Sequence, residues 1–291
     1  MIDYDPHRWR DHFFDIRGSM VKSIGYRSLT VTFFATLVAL VDHHWIRMAT
    51  TEKVHGLVGP ALSLLLVFRT NASYDRFWEA RKLWGSIVNE TRNYVRGAKV
   101  YFGHDAALFA RAVHWAVAFP YATMNHLRGA QGLGPVGAEL GAAGRDAETA
   151  RHPPLAVAVA MSRVLDDARR AGHLDSVQQS SVDQNVQLLI DCVGACERIR
   201  KTPLPFAYVV HLRRALLLYC ATLPFALLPF FGWGCIFITF LVAFVLLGIE
   251  EIGVEIEEPF GTDDNDLPLE TLCASIEATL RTLLPPPRDP T

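Results

Sequence analysis

The sequence predicts an all-α integral membrane protein in which four transmembrane helices run into a helical cytoplasmic domain. Three observations predict it. Ala215 to Ile249 contains no charged residue, and a straight helix of that length would reach about 50 Å, more than one crossing needs. Ser28 to Ile46 is apolar and uncharged until Asp42. Leu57 to Trp84 begins as a span and then, without a break, fills with Arg69, Asn71, Asp75, Arg76, Glu79, Arg81 and Lys82. Its uninterrupted apolar part, Ala61 to Phe68, is far short of the roughly 20 residues a crossing requires, and a charge at mid-bilayer costs roughly 2.5–3.5 kcal/mol on the lenient insertion scale. Either the helix ends early, or its polar continuation faces water or protein inside the membrane, as a pore wall would.

Composition agrees. Of 291 residues, 51% are hydrophobic and 20% charged, and the apolar excess sits in a few blocks, which implies a membrane protein with a substantial aqueous part. A net charge of −2 gives no support for a nucleic-acid surface. The five cysteines (Cys192, Cys196, Cys220, Cys235 and Cys273) are scattered through apolar or helical pattern, so they read as buried thiols in a reducing or membrane setting. No early apolar core of a signal peptide is present, and a secreted protein is not expected.

Taken in order, residues 1–26 form an arm in which Trp9, Phe13 and Phe14 lie at headgroup level while Arg8, Arg10, Arg17 and Lys22 stay in water, or else a short amphipathic helix on its own domain. Spans are expected at about 28–46, 57–78, 207–229 and 233–250. The basic residues before the first place its start in the cytoplasm. His43 and His44 at its far end are adjacent, so they share no helical face and read as interfacial polar groups. In the second span Pro60, Leu64 and Phe68 recur every four residues on one stripe, continued approximately by Asn71 and Asp75; spacing alone leaves a helix exit and a pore-lining face equally open. Residues 79–124 read as helical, with a buried core helix closed by Pro120, and Gly129 to Pro154 as a surface loop or poorly ordered connection. Leu155 to Lys201 is again helical. Thr202-Pro203-Leu204-Pro205 breaks that helix and opens an uncharged hairpin, which turns at Pro229, Gly232, Trp233 and Gly234 and returns at Glu250-Glu251. Four crossings leave both termini cytoplasmic. The cytoplasmic part is expected at about 79–202 and 251–284, with a helix over Leu267–Leu284 and a Pro-rich tail, and the whole of 1–291 as one domain.

Chemistry has little to stand on. There is no HExxH, GxSxG, Walker A or GxGxxG in a fitting context, so no enzyme is expected. Cys192 and Cys196, and Glu251 and Glu255, are i, i+4 pairs without a base, nucleophile or phosphate-cradling loop. The dense constellation is the acidic turn after Pro259-Phe260-Gly261, in which Asp263, Asp264, Asn265 and Asp266 either offer hard oxygens to Ca²⁺ or cap the helix that follows. It lacks the spacing of an EF-hand.

Four ordered motifs carry a resemblance: Arg17-Gly18-Ser19, the run from Phe68-Arg69-Thr70-Asn71 through Arg76-Phe77-Trp78-Glu79 to Arg81, Pro203-Leu204-Pro205-Phe206-Ala207-Tyr208, and Pro259-Phe260-Gly261-Thr262-Asp263-Asp264-Asn265-Asp266. Together they resemble the bestrophin family over about residues 8–284, and the tail-less length is similar to its prokaryotic members. The resemblance implies a homopentamer around a central ion pathway in a bacterial inner membrane, with a hydrophobic neck, a cytosolic cavity and a narrow aperture. Carried over from the Arg76-Phe77-Trp78 anchor, the neck falls on Pro60, Leu64 and Phe68; a proline at the outermost position departs from the large aliphatic residue of animal members. Counting back from Pro205 puts the aperture at Val177. The acidic turn corresponds to the Ca²⁺ clasp of animal members, with Asp263, Asp264 and Asp266 as ligands, but Thr262 and Asn265 interrupt the run and no cofactor is required. The family's best-known activity is anion, chiefly chloride, conduction, with Na⁺ or K⁺ conduction as the alternative for prokaryotic members and a non-conducting membrane scaffold or receptor as the competing reading.

Overall fold

The computed structural model describes residue 7 and residues 20–285. The N-terminal arm, the Arg17-Gly18-Ser19 motif and the end of the Pro-rich tail lie outside the described residues. Every regular element among the described residues is helical: α1 (Val21–His44), α2 (Lys53–Phe102), α3 (Ala106–Arg128), a 3₁₀ turn (Pro135–Gly137), α4 (Gly141–Glu148), α5 (Pro153–Arg170), α6 (Ser176–Lys201), α7 (Phe206–Phe231), α8 (Gly234–Glu255) and α9 (Leu269–Arg281). The chain divides into two compact units. One comprises residues up to 77 with 203–266, the other 78–202 with the residues from 267 onward. The acidic segment after Glu250, expected with the cytoplasmic part, therefore belongs to the unit that holds the spans.

In the first unit, α1, α7 and α8 are long and apolar enough to cross a membrane. They replace the expected first, third and fourth spans with somewhat longer helices; α1 begins at Val21 rather than Ser28. The second expected span is not among the three. It is the first half of α2, a 50-residue helix whose apolar run ends too soon to qualify by composition. α1 packs on both α7 and α8. Ile24 meets Cys220, Ala243 and Leu247 in one buried cluster, and Val38 and Ala39 meet Leu228 and Cys235 in another. α2 joins through Leu62 and Leu66 against Leu212 and Leu216, and Tyr208 Oη donates to the Leu65 carbonyl at 2.8 Å. Small residues such as Ala39, Cys220, Cys235 and Ala243 at these seams let helices approach closely, the main source of helix association where lipid removes the hydrophobic drive. The hairpin turn falls at Gly232, whose φ of 48° suits glycine; Pro224 and Pro229 sit inside α7. His43 packs on Trp233 with ring centroids 5.6 Å apart.

The second unit is a helical bundle around Trp84, Tyr94 and Phe102 of α2, Phe109 and Phe119 of α3, and Met161 of α5, all fully buried. α5 packs on α3 and α6, and α9 packs on α3. Tyr94 Oη donates to the Met161 carbonyl at 3.0 Å. Pro120 does not close α3: it lies buried inside a helix that continues to Arg128, leaving only the Ala116 carbonyl without its usual donor. The helix ends instead at Gly129, left-handed at φ 70°. Residues 129–154 are likewise not a structureless connection but contain the 3₁₀ turn and α4, held by Asn125 Nδ2 donating to the Gly132 carbonyl and by Glu139 paired with His114 and Arg281. All five cysteines are free and buried.

Candidate functional site

The first half of α2 carries two opposed faces. Leu62, Leu66, Arg69 and Ser73 are buried, at steps of four, three and four residues, which is one helical stripe. On the other side Pro60, Leu64, Phe68, Asn71 and Asp75 are all exposed, Leu64 at 54% and Phe68 at 57%. The predicted stripe is thus brought together on one face, and its polar continuation lies on the same face. The helix runs unbroken through Pro60, whose missing N–H leaves the Gly56 carbonyl without its i+4 donor.

Sequence reasoning missed what the buried face does. Arg69 is only 1% exposed, one residue from the exposed Phe68. Its Nη1 donates to Glu250 Oε1 at 2.5 Å, and the same oxygen accepts from Arg213 Nε at 2.8 Å. Arg27 Nη1 stands 3.7 Å from the other Glu250 oxygen and donates to Glu251 at 2.7 Å. One carboxylate at the end of α8 therefore faces arginines from α1, α2 and α7. Glu257 extends the group: it lies 3.9 Å from Arg69, takes Arg76 Nε on its carbonyl and accepts the Leu204 N–H at 3.0 Å. A buried charge is tolerated when paired and hydrogen-bonded, and this pairing is how an arginine follows an apolar run inside the first unit. The signal in the sequence was a lone arginine ending one apolar run and a lone glutamate ending another.

Val177, the aperture candidate, is 76% exposed in the first turn of α6. The turn is set by a capping box between Asp175 and Gln178, which leaves Val177 on the surface.

The acidic turn is held by its own carboxylate. Asp266 is 3% exposed and accepts the Asp263 N–H at 2.8 Å, while its own N–H donates to the Asp263 carbonyl. A Cβ at position 261 would collide with the Asp266 carboxylate, so a side chain there would push that carboxylate out of the turn. Burial first, then the neighbouring charges of Asp263, Glu255 and Glu258, push the Asp266 carboxyl up to about 6. Asp263 and Asp264 are exposed; Asn265 donates to Glu255 at 2.9 Å. Asp266 Oδ2 closes the turn, and the side-chain ligand atoms of Asp263, Asp264 and Asp266 are not among those that gather within 4.8 Å of one another in the described residues.

A second cluster was not foreseen: His126 of α3, His152 at the start of α5 and Glu197 of α6 bring their side-chain ligand atoms within 4.8 Å of one another. Glu197 Oε1 lies 2.6 Å from His126 Nε2 and 3.0 Å from His152 Nε2, and Oε2 accepts from Lys201 at 2.9 Å. His152 Nδ1 caps α5 by accepting the Leu155 N–H, so in the neutral ring Nε2 carries the proton and donates to Glu197. With that proton and Lys201 in place the cluster is a hydrogen-bonded junction of three helices, not an open ligand set. Burial raises the Glu197 pKa, but the hydrogen bonds from Lys201 and His126 outweigh it and hold it at about 2. No local motif announces this site; its members lie on separate helices.

An all-helical chain with three helices long and apolar enough to cross a membrane defines a helical membrane protein, and the structure it matches gives it the bestrophin fold. A bacterial bestrophin homologue from Klebsiella pneumoniae has a solved structure that matches with a TM-score of 0.82 at 29% identity, over 90% of this chain and 98% of that one. The family model for Bacterial/Fungal Bestrophin proteins matches residues 1–282, and the chain belongs to that family. Among its relatives, a voltage-dependent anion channel-forming protein of Nostoc sp. is 40% identical over 94% of this chain and 90% of that protein. One of the same description from Synechocystis sp. is 38% identical over 97% and 94%.

Proposed function

We propose that this protein is an ion channel of the bacterial cytoplasmic membrane, not an enzyme, and that it passes anions, chloride among them, along the axis of a homopentamer. The observation that carries the reading is the exposed stripe Pro60–Leu64–Phe68 on α2, continued on the same face by Asn71 and Asp75. Large side chains half exposed on a helix whose other face is fully packed need a further partner or a water-disfavouring passage. Copies arranged about an axis would supply the second: rings of Leu64 and Phe68 form a neck that opens and closes by wetting, and Pro60 makes its outer ring smaller than an aliphatic one. Relatives named as anion channel-forming proteins support the choice of ion. No cofactor enters, and the acidic turn is not required to hold calcium. Val177 is the aperture candidate by the same reading. With two basic stretches flanking the uncharged runs, both termini lie on the cytoplasmic side.

The test is a reversal potential in a planar bilayer under opposed NaCl concentrations. The reading expects it near the chloride equilibrium potential; a value near that of sodium would overturn the choice of ion and favour the cation alternative, for which the exposed Asp75 on the same stripe is the motivating group. A non-conducting scaffold would give no current at all, and a monomer by native mass measurement in detergent would rule out an axial pore.

A further inference from the structure

A cavity of about 190 Å³ in the first unit is lined by Arg27, Arg213, Leu216, Leu217, Leu247 and Glu250. Three of its lining side chains are charged, two arginines and one glutamate, and three are leucines, and the two sets are separated along the helices. Both arginines are 47% exposed at the side chain. Each spends one nitrogen on the ion group described above: Arg27 uses Nη1, on Glu250 and Glu251, and Arg213 uses Nε, on Glu250. The remaining guanidinium N–H groups of both have no acceptor among the described residues. Charge does not balance either. The lining holds two guanidiniums, Arg27 and Arg213, against one carboxylate, Glu250.

The depth of the cavity is readable from the sequence. Arg27 immediately precedes the uncharged stretch of α1, Arg213 and Arg214 precede that of α7, and Glu250 ends that of α8. All three mark where an apolar helix meets the headgroup layer. Leu217, 54% exposed, continues the wall one turn into the apolar zone, with Leu216 and Leu247 behind it.

We propose that this cavity binds the phosphate of an anionic phospholipid, held between the free guanidinium edges of Arg27 and Arg213, with the first carbons of an acyl chain along Leu216, Leu217 and Leu247. Guanidinium forks match phosphate oxygens two at a time, and basic pockets between membrane helices on the cytoplasmic side are suited to such headgroups. The excess positive charge selects an anionic lipid over a zwitterionic one. The leucine wall selects a lipid over free phosphate, which would leave it bare. The size is that of a headgroup phosphate and the start of one chain.

The test is native mass spectrometry of the detergent-solubilised assembly titrated with phosphatidylglycerol, with phosphatidylcholine in parallel and inorganic phosphate as competitor. The expected result is retention of phosphatidylglycerol about tenfold or more above phosphatidylcholine, at least fivefold weaker in Arg213→Gln and restored in Arg213→Lys. Leu217→Trp fills the cavity without touching any ion pair, and it too should lose the bound lipid, so the proposal stands or falls even where Arg213→Gln does not fold. Equal retention of the two lipids by the wild type, or undiminished retention by Leu217→Trp, would overturn it. Displacement of the lipid by millimolar inorganic phosphate would reduce the site to a free-anion site and overturn the lipid assignment.

Discussion

Phe68 and Arg69 are neighbours on one helix with inverted surroundings. The aromatic ring is 57% exposed and the guanidinium 1%. In a water-soluble protein the burial would be reversed. The comparison teaches that the face carrying Phe68 was not shaped to meet bulk water, and that the face carrying Arg69 was built around a charge from the start. One face is finished within a single chain, through Leu212, Leu216 and Glu250. The other is left open.

The largest effect should come from breaking the finished face. Glu250→Gln leaves the buried Arg69 with only the more distant Glu257, 3.9 Å away, and removing one partner of a buried pair costs about 3–5 kcal/mol. Thermal unfolding in detergent should show that loss. The double change Arg69→Met with Glu250→Leu, which removes both charges, should recover most of it. A double variant as unstable as the single one would mean that the pair is needed for more than its own neutralisation.

On the open face the expectation is opposite. Leu64→Ala and Phe68→Ala should change protomer stability by no more than about 0.5 kcal/mol, as for surface positions, while raising ion flux into liposomes several-fold as the dewetted neck widens. A loss of assembly without a gain in flux would show that the stripe packs against a neighbour instead of lining a passage.

Asp266 tests the acidic turn at the end of the same unit. Its carboxyl titrates near 6 in the fold, above the usual carboxylate value of about 4, so the folded chain holds the proton more tightly than the unfolded one. The stabilising contribution is complete below about pH 4 and is lost as pH rises through about 6, a difference of roughly 2–3 kcal/mol. The wild type should lose that much stability between pH 4 and pH 7 relative to Asp266→Asn. Parallel pH profiles would show that the turn does not hold a protonated carboxyl.

Much of this was legible in the sequence because it is local. Uncharged runs marked three spans, the break at Gly232 marked the hairpin, and four-residue spacing put Pro60, Leu64 and Phe68 on one face. The acidic run was readable as a turn but not as a cap: Asp266 accepts the N–H of Asp263, three residues back, while α9 starts behind Pro268 with no side-chain cap. What was not legible depends on contacts between distant segments. Arg69 and Glu250 are 181 positions apart, and only the packing of α2 beside α7 and α8 makes one the partner of the other. Pro120 looks like a helix end until the bundle around it offsets one lost hydrogen bond. The Gly- and Ala-rich residues 129–154 look unstructured because their order comes from ion pairs, such as Glu139 with Arg281, and not from a periodic apolar face. The role of Val177 depends on surfaces beyond a single chain.

The smallest effect separates the two ion groups of the molecule. Glu250 is 3% exposed at the side chain and Glu197 is 19%, and water screens the latter. Glu197→Gln should cost less than about 1 kcal/mol at neutral pH, in the range of surface pairs, against the several expected at Glu250. Its sign with pH is also opposite to that of Asp266. Because Lys201 and His126 hold Glu197 at about 2, its contribution is present above the ordinary carboxylate range and is lost as pH falls from about 4.5 toward 2. Wild type and Glu197→Gln should therefore converge in stability on acidification, as read by denaturant unfolding at each pH. If the gap instead widened in acid, the ionised Glu197 carboxylate would not be what stabilises this junction of three helices.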